Sequence, residues 1–140
     1  MIEFILMLIG LLMMFAAGDS SVDVISVEPE PAFDQALYDR GINEYLTAYC
    51  GSCHMLDAAE TRGNFGPGHN NSVAMARAAL NDPAYNGEAT SVTEYIRESV
   101  VNPRVYYTEG YGGSAHPMPA YTNLTNEQLD AIVYMLSQQN

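Results

Sequence analysis

The chain has 140 residues, no recurring segment and a formal charge of −12, from 17 acidic residues against five basic ones. All five basic residues are arginines. A chain of this length fits one domain with a short appendage. The acidic balance argues against binding to nucleic acid or to an anionic membrane surface, because both attract basic patches. An electrostatically steered partner is expected to be basic, although the need for solubility explains the acidity equally well.

The first 18 residues are predicted to direct the chain to a membrane. Residues 4–17 form an uncharged apolar run between Glu3 and Asp19. At about 1.5 Å per residue the run spans roughly 21 Å, short of the ~30 Å hydrocarbon core, and length alone favours the apolar part of a signal peptide. The basic start of such a peptide is missing, because no basic residue precedes Arg40. We therefore expect residues 1–18 to form a retained N-terminal transmembrane helix.

Residues 19–31 are predicted to be a linker, and residues 32–140 a single folded domain. The linker is polar and acidic and ends in a stretch with two prolines. It has too little apolar patterning for a packed element.

Four helices and no strand are predicted in the domain, so the expected fold class is all-α. The first helix covers residues 32–49 and runs directly into a cysteine motif. Its apolar stripe consists of Leu37, Gly41, Ile42, Tyr45, Leu46 and Tyr49. The second helix covers residues 72–80 and follows a glycine-rich, turn-prone stretch at residues 62–71.

Capping boxes mark the other two helices. Ser91 with Glu94 predicts a helix that ends at about residue 101, and Thr125 with Gln128 predicts a C-terminal helix. Their expected inward faces are Val92, Tyr95, Ile96, Ser99 and Val100, and Leu129, Ile132, Val133 and Leu136. Residues 104–123 between them are irregular, and loops of that length are commonly functional.

The chemistry of the chain is concentrated in residues 50–54, which read Cys-Gly-Ser-Cys-His. This C-x-x-C-H spacing is that of covalent haem attachment, in which Cys50 and Cys53 bind the two vinyl groups and His54 ligates the iron. The chain has no other cysteine. The motif therefore predicts one covalently bound haem c.

Three other interpretations of the motif are less consistent with the sequence. A structural zinc site needs further Cys or His at matched spacing, which the scattered His69 and His116 do not supply. A thioredoxin-like redox pair needs a βαβ pattern. A disulfide across two intervening residues has poor geometry at a helix end.

Met118 is predicted to be the second protein ligand of the iron. The candidates outside the anchor are Met55, Met75, Met118, Met135, His69 and His116. Prolines on both sides of Met118 stiffen the backbone, and a Met and His pair raises the reduction potential. His116 is the main competitor, and packing of Met118 on the haem edge is the other alternative. His69 is interpreted as a polar turn residue.

Arg104 and Tyr107, together with Tyr106 and Tyr111, are expected to surround the haem propionates or the haem edge. Arginine favours carboxylates, and tyrosine offers an amphipathic ring. Ordinary packing of these tyrosines in a haem pocket is an equal alternative.

Taken in order, these residues resemble the class I cytochrome c family over residues 32–138. Gly41, Tyr45 and the C-x-x-C-H motif look like the family's first helix running into its haem site. Residues 65–67 resemble the family's Gly-Pro turn, which implies that the carbonyl of Pro67 accepts a hydrogen bond from His54.

The later part of the chain extends the resemblance. Residues 95–103, 118–119 and 131–136 are similar to the family's later helices and ligand segment. The family's helix crossing implies that Gly41 and Tyr45 pair with Tyr134. The resemblance as a whole implies the class I cytochrome c fold, with helices wrapped around one haem c. Two departures are the missing lysine ring of mitochondrial-type carriers and the unusual His116 before Pro117.

The resemblance implies an electron-transfer protein, not an enzyme. With the anchor, it suggests a membrane-bound subunit of a respiratory or photosynthetic complex, similar to the mono-haem cytochrome c subunit of the quinol-oxidising alternative complex III. Haem c is attached outside the cytoplasm, so the haem domain is expected on the periplasmic side of the cell membrane. The alternatives are a secreted soluble electron shuttle, a gas-binding haem sensor and a peroxidase or oxidase domain.

Overall fold

The computed structural model describes residues 32–140, so the expected anchor (residues 1–18) and linker (19–31) lie outside the described residues. The described part contains four α-helices and two short strands. In chain order they are α1 (Gln35–Thr47), β1 (His54–Leu56), β2 (Thr61–Asn64), α2 (Ser72–Leu80), α3 (Val92–Val101) and α4 (Asn126–Leu136). Within residues 32–140, no helix has the length and apolar character that crossing a membrane requires.

Both predicted capping boxes are confirmed. The hydroxyl of Ser91 accepts a hydrogen bond from the backbone N–H of Glu94, and the Glu94 carboxylate accepts one from the N–H of Ser91. Thr125 and Gln128 make the same reciprocal pair at the start of α4. Each box satisfies two N–H groups that a helix start leaves unpaired, and loss of such a cap costs about 1 kcal/mol.

The expected all-α fold is corrected in one place, because a short antiparallel hairpin follows the cysteine motif. Strands β1 and β2 pair in the register His54 with Asn64 and Leu56 with Thr61. The hydroxyl of Thr61 donates to the carbonyl of His54 at 2.9 Å and accepts from the N–H of Leu56 at 3.0 Å. Strands of three and four residues are too short to show an alternating pattern, which explains why the sequence did not predict them.

Helix α1 is shorter than predicted, and its apolar stripe is narrower. It ends at Thr47, and Tyr49 adopts the left-handed conformation with φ 61° before a 3-10 turn at Cys50–Ser52. Leu46 and Tyr49, expected to face inward, are 45% and 77% exposed. The left-handed conformation turns the chain away from the helix axis and so takes Tyr49 off the stripe, whereas Leu46 lies within the helix, outside its buried face.

Helices α1 and α4 cross at Gly41, where a Cβ atom would stand 2.3 Å from the carbonyl oxygen of Ala131 and 2.4 Å from Cβ of Met135. The atoms nearest to Gly41 thus belong to Ala131 and Met135, and the implied pairing of Gly41 and Tyr45 with Tyr134 stays a prediction. Ala131 and Met135 are four residues apart and share one face of α4, and that face is bordered by Tyr134, three residues after Ala131. The hydroxyl of Tyr134 accepts a hydrogen bond from the backbone N–H of Asp34 at 2.7 Å.

Buried apolar side chains from the four helices and the hairpin form one core. Its larger members are Tyr45, Leu56, Ile96, Val100, Leu129, Ile132, Met135 and Leu136. Burying a side chain such as Ile132 stabilises the fold by about 1.5–3 kcal/mol. The predicted inward faces of α3 and α4 supply most of these residues, and the edge of this core forms part of the wall of a cleft.

Candidate haem-binding site

A large cleft lies beside the core and encloses about 1240 Å³, including its open mouth. Its lining comes from three parts of the chain: residues 45–75, helix α3 with Pro103, and the irregular segment 106–121, together with Ile132 and Leu136. Among the described residues, those that line it include no Asp, Glu or Arg. The cleft therefore suits a large apolar group with polar contacts at a few points.

Cys50, Cys53 and His54 all line this cleft. The 3-10 turn at Cys50–Ser52 closes with a hydrogen bond from the N–H of Cys53 to the carbonyl of Cys50 at 3.1 Å. Both thiols are free and half-buried, so the disulfide interpretation does not describe this structure. Burial raises the pKa of the Cys50 thiol to about 11. Within residues 32–140, no cluster of three or more His, Cys, Asp or Glu side chains offers a metal site of the structural zinc type.

The imidazole of His54 is buried, with 6% of the residue exposed. Its Nδ1 lies 2.8 Å from the carbonyl oxygen of Pro67, the contact that the family resemblance implies for this proline. Because a carbonyl only accepts, we assign the ring proton to Nδ1, which leaves the lone pair of Nε2 free for a metal. Burial lowers the pKa of His54 against the opposing effect of the Pro67 carbonyl. The neutral form that ligation requires is therefore favoured.

Gly66 leaves room for this imidazole. A Cβ atom on Gly66 would stand 2.3 Å from Cε1 of His54 and 2.8 Å from Nδ1. No side chain fits at that distance, so the glycine is needed for close approach of the turn to the ring. The turn at residues 65–67 thus combines a glycine that admits the ring with a proline carbonyl that orients it.

His69 contacts His54 in a way that the sequence did not predict. Its ring stacks on that of His54, with centroids 4.1 Å apart and planes 14° from parallel. Its Nδ1 hydrogen bonds with the hydroxyl of Tyr45 at 3.1 Å. Burial, with a smaller effect of His54, lowers the pKa of His69 to about 3. In the sequence, the one feature of His69 that indicates a place near His54 is its position two residues after Pro67.

The candidates for a second iron ligand are distributed as follows. Met118 is half-buried and lines the cleft, and His116 also lines it, with its ring 4.7 Å from that of Phe65. Met75, which the alanine-rich helix carries, lines the cleft as well. Met135 is fully buried at the α1–α4 crossing and Met55 is 40% exposed, and neither lines the cleft.

Arg104 is exposed and is not among the residues that line the cleft, so its expected place near the haem propionates stays a prediction. Asn102 ends α3, and the turn that follows is closed by a hydrogen bond from the N–H of Val105 to the carbonyl of Asn102 at 3.2 Å. This turn leaves Arg104 exposed and outside the cleft lining. Tyr107 does line the cleft, as do Tyr106 and Tyr111.

Tyr121 is a further lining residue that the sequence did not single out. Its hydroxyl donates to the carbonyl of Ala48 at 3.1 Å, and its N–H donates to the carbonyl of Val100 at 3.1 Å. These two bonds attach the irregular segment to the end of α1 and to α3. The segment that carries Met118 is thereby held beside the cysteine motif.

These features fit a covalently attached haem. The cleft offers two thiols at C-x-x-C spacing, a neutral imidazole with a free Nε2, and a wall without charged side chains. Gly66 leaves the space that the imidazole ring needs. The fold and the site thus define a haem-c-binding protein. A family model described as Cytochrome c matches residues 38–139, and the chain belongs to this family. Among curated proteins and among solved structures, no significant match was found. Family membership means that the protein binds haem c and has a haem-based electron-transfer role.

Proposed function

We propose that the protein is a mono-haem electron-transfer subunit that is anchored in the cell membrane by its N-terminal segment. In this proposal Cys50 and Cys53 form thioether bonds to the haem, and His54 ligates the iron through Nε2. The observation that carries the proposal is the position of His54, buried beside both thiols and oriented by Pro67. The haem supplies an iron that gains and loses one electron.

Met118 is proposed as the sixth ligand. It lies in the cleft lining, and prolines on both sides restrict its backbone. A thioether opposite an imidazole favours the ferrous state and raises the reduction potential, as suits an electron carrier. The uncharged cleft wall acts in the same direction, because a low local dielectric disfavours the additional positive charge of the ferric state.

A peroxidase, an oxidase or a gas sensor is less consistent with this geometry. Peroxide chemistry needs an acid–base group on the side of the haem opposite His54. His69, the other candidate imidazole besides His116, stacks directly on His54 and hydrogen bonds with Tyr45. His69 therefore lies on the same side as His54 and does not supply that acid–base group. A gas sensor needs an open sixth position, and the proposed ligation by Met118, which lines the cleft, would close it.

The membrane-anchored assignment is supported by the apolar run at residues 4–17 and by the acidic linker that follows. A tether gives the haem domain a high effective concentration near a membrane-bound donor, which is the benefit of not diffusing freely. We propose a place in a multi-subunit respiratory or photosynthetic complex of the alternative complex III type. The haem domain then lies on the extracytoplasmic side, where it passes electrons between donor and acceptor proteins.

A secreted soluble shuttle is the second candidate, because the apolar run is shorter than the hydrocarbon core. The membrane-anchored subunit and the soluble shuttle are distinguished by expressing the full chain with a haem c maturation system and measuring how much of it is recovered in the membrane and soluble fractions. The tethered protein is expected in the membrane, with an intact N-terminus by mass and with copurifying subunits. A control in which a cleavable signal peptide replaces residues 1–18 is expected in the soluble fraction. Recovery of the natural chain as a lone soluble protein without residues before about position 20 would overturn the tethered assignment.

A further inference from the structure

The stacked pair of His54 and His69 carries an inference about how the haem ligand is held. His69 is partly buried and lines the cleft. A polar ring withdrawn from water costs free energy unless it is hydrogen bonded, and an aliphatic side chain would pack against His54 without that cost. Neither the C-x-x-C-H motif nor the Pro67 carbonyl requires a second imidazole. The ring of His69 therefore has a role that its volume alone does not explain.

The backbone of His69 is fixed on both sides. Its N–H donates to the carbonyl of Met55 in β1 at 2.7 Å, and its carbonyl accepts from the hydroxyl of Ser72 at the start of α2 at 2.7 Å. Its side chain is held by the hydroxyl of Tyr45, a residue of α1 with no exposed surface. Its backbone is thus attached to β1 and α2 and its ring to α1, and hydrogen-bonded networks of this kind favour one arrangement over its alternatives.

The imidazole of His54 needs such a support. Its hydrogen bond to Pro67 sets the direction of Nδ1 but leaves the ring plane free to rotate about that bond. The ring of His69 lies within 14° of parallel to the ring of His54, with the two centroids 4.1 Å apart, and blocks rotation of the His54 ring towards that face. Partners of this kind orient metal-bound imidazoles in proteins and tune the metal.

We propose that His69 is a positioning residue for the haem centre: its ring, held by Tyr45, sets the plane of the His54 imidazole. The proposal rests on ligation of the haem iron by His54. The plane of the ligand ring determines how its π orbitals overlap with those of the iron, and hence how unpaired electron density is distributed over the haem in the oxidised protein.

The test is NMR of the oxidised holoprotein, because the hyperfine shifts of the haem ring methyl groups report the plane of the axial imidazole. His69→Leu removes the stacked ring and is expected to change the order of the methyl resonances. His69→Phe keeps a flat ring in the stack and is expected to stay closer to the natural pattern. Leu129→Val, in the core but outside the cleft lining, controls for general loss of packing and is expected to leave the pattern unchanged.

Tyr45→Phe tests the second part of the proposal. It removes the hydroxyl that holds His69, and with it a 3.3 Å hydrogen bond to the backbone carbonyl of His54. It is expected to shift the methyl resonances in the same sense as His69→Leu, by a smaller amount. If His69→Leu does not accumulate as holoprotein, His69→Gln replaces it, since it keeps a polar group but loses the ring. A natural methyl pattern in the variant that lacks the ring, or an equal change in Leu129→Val, would overturn the proposal.

This outcome is distinct from failure of the proposed function. A His69 variant that carries haem, transfers electrons and shows the natural methyl pattern contradicts the role of His69 alone. Failure of the natural protein to bind haem or to be reduced would instead contradict the haem site.

Discussion

Gly66 lies against the imidazole of His54 so closely that a Cβ atom would stand 2.3 Å from Cε1. The ring and the glycine therefore occupy adjoining space with no room for a methyl group. Because the Pro67 carbonyl holds the other side of Nδ1, the ring cannot move aside without losing its hydrogen bond. The position of the proposed haem ligand thus depends on the smallest residue in the turn at residues 65–67.

Replacing Gly66 with alanine is expected to displace the His54 ring and to destabilise the holoprotein by about 1–3 kcal/mol, as overpacking does in well-packed interiors. The measurements are the low-spin absorption spectrum and the free energy of unfolding by denaturant. Gly112→Ala is the matched control, because its Cβ would meet Tyr107 at an ordinary 3.6 Å. Equal stability and spectra for the two variants would contradict the close contact.

Gly41→Ala is expected to lower the free energy of unfolding by about 1–3 kcal/mol. Alanine favours a helix over glycine by up to about 1 kcal/mol, but here its methyl group meets the backbone oxygen of Ala131, which moves only if α4 moves. Denaturant unfolding followed by circular dichroism measures the change. Gly113→Ala, with no atom within 4 Å of its Cβ, is expected to be neutral. A stabilised Gly41→Ala protein would show that α1 and α4 are less close than described.

The carboxylate of Glu94, at the start of α3, is expected to make the protein less stable as the pH becomes acid. Hydrogen bonds from the backbone and hydroxyl of Thr90, and from Ser91, hold the pKa of Glu94 below its ordinary value of 4.5. A carboxyl whose pKa is lowered on folding stabilises the protein above the unfolded pKa, and this contribution is lost as the pH falls through the folded pKa.

Glu94→Gln should therefore be less stable than the natural protein near neutral pH, and the difference should shrink as the pH falls below about 4.5. Unfolding free energies measured across this range give the result. Glu88→Gln, at an exposed glutamate whose side chain caps no helix, serves as the control. A difference that stays constant with pH would show that the carboxylate of Glu94 is not the group responsible.

Met118→Leu is expected to open the sixth position of the iron. The reduced variant should bind carbon monoxide readily, whereas the natural protein should resist it, and the reduction potential should fall because the thioether is lost. His116→Leu should behave like the natural protein in both measurements. If His116→Leu binds carbon monoxide and Met118→Leu does not, His116 is the ligand.

The helices, which are specified by residues close together in the sequence, were predicted well. Helix α2 has the predicted bounds, and α3 and α4 begin where Ser91 and Thr125 predict. All four residues of the predicted stripe on α4 are buried. Capping boxes and helical stripes are made by residues three or four positions apart, so the local sequence contains the whole interaction.

The features that depend on backbone direction or on residues far apart in the sequence were predicted less well. The stripe of α1 was expected to continue through Tyr49, but a left-handed residue ends it. The hairpin of β1 and β2 was not predicted at all. The direction in which the chain leaves α1 depends on the backbone angles of Tyr49, which residue type alone does not determine, and strands of three and four residues show no alternating pattern.

By itself, the sequence predicted a covalently bound haem c, which family membership confirms, and it predicted Cys50, Cys53 and His54 as the attachment site, because attachment needs only the spacing within five consecutive residues. It also determined most of the helices, for the same local reason. Only the tertiary structure decided what surrounds His54: the space left by Gly66 and the ring of His69, which Tyr45 holds from 24 positions away. Such contacts exist only when separate elements pack together, so no local pattern in the sequence specifies them.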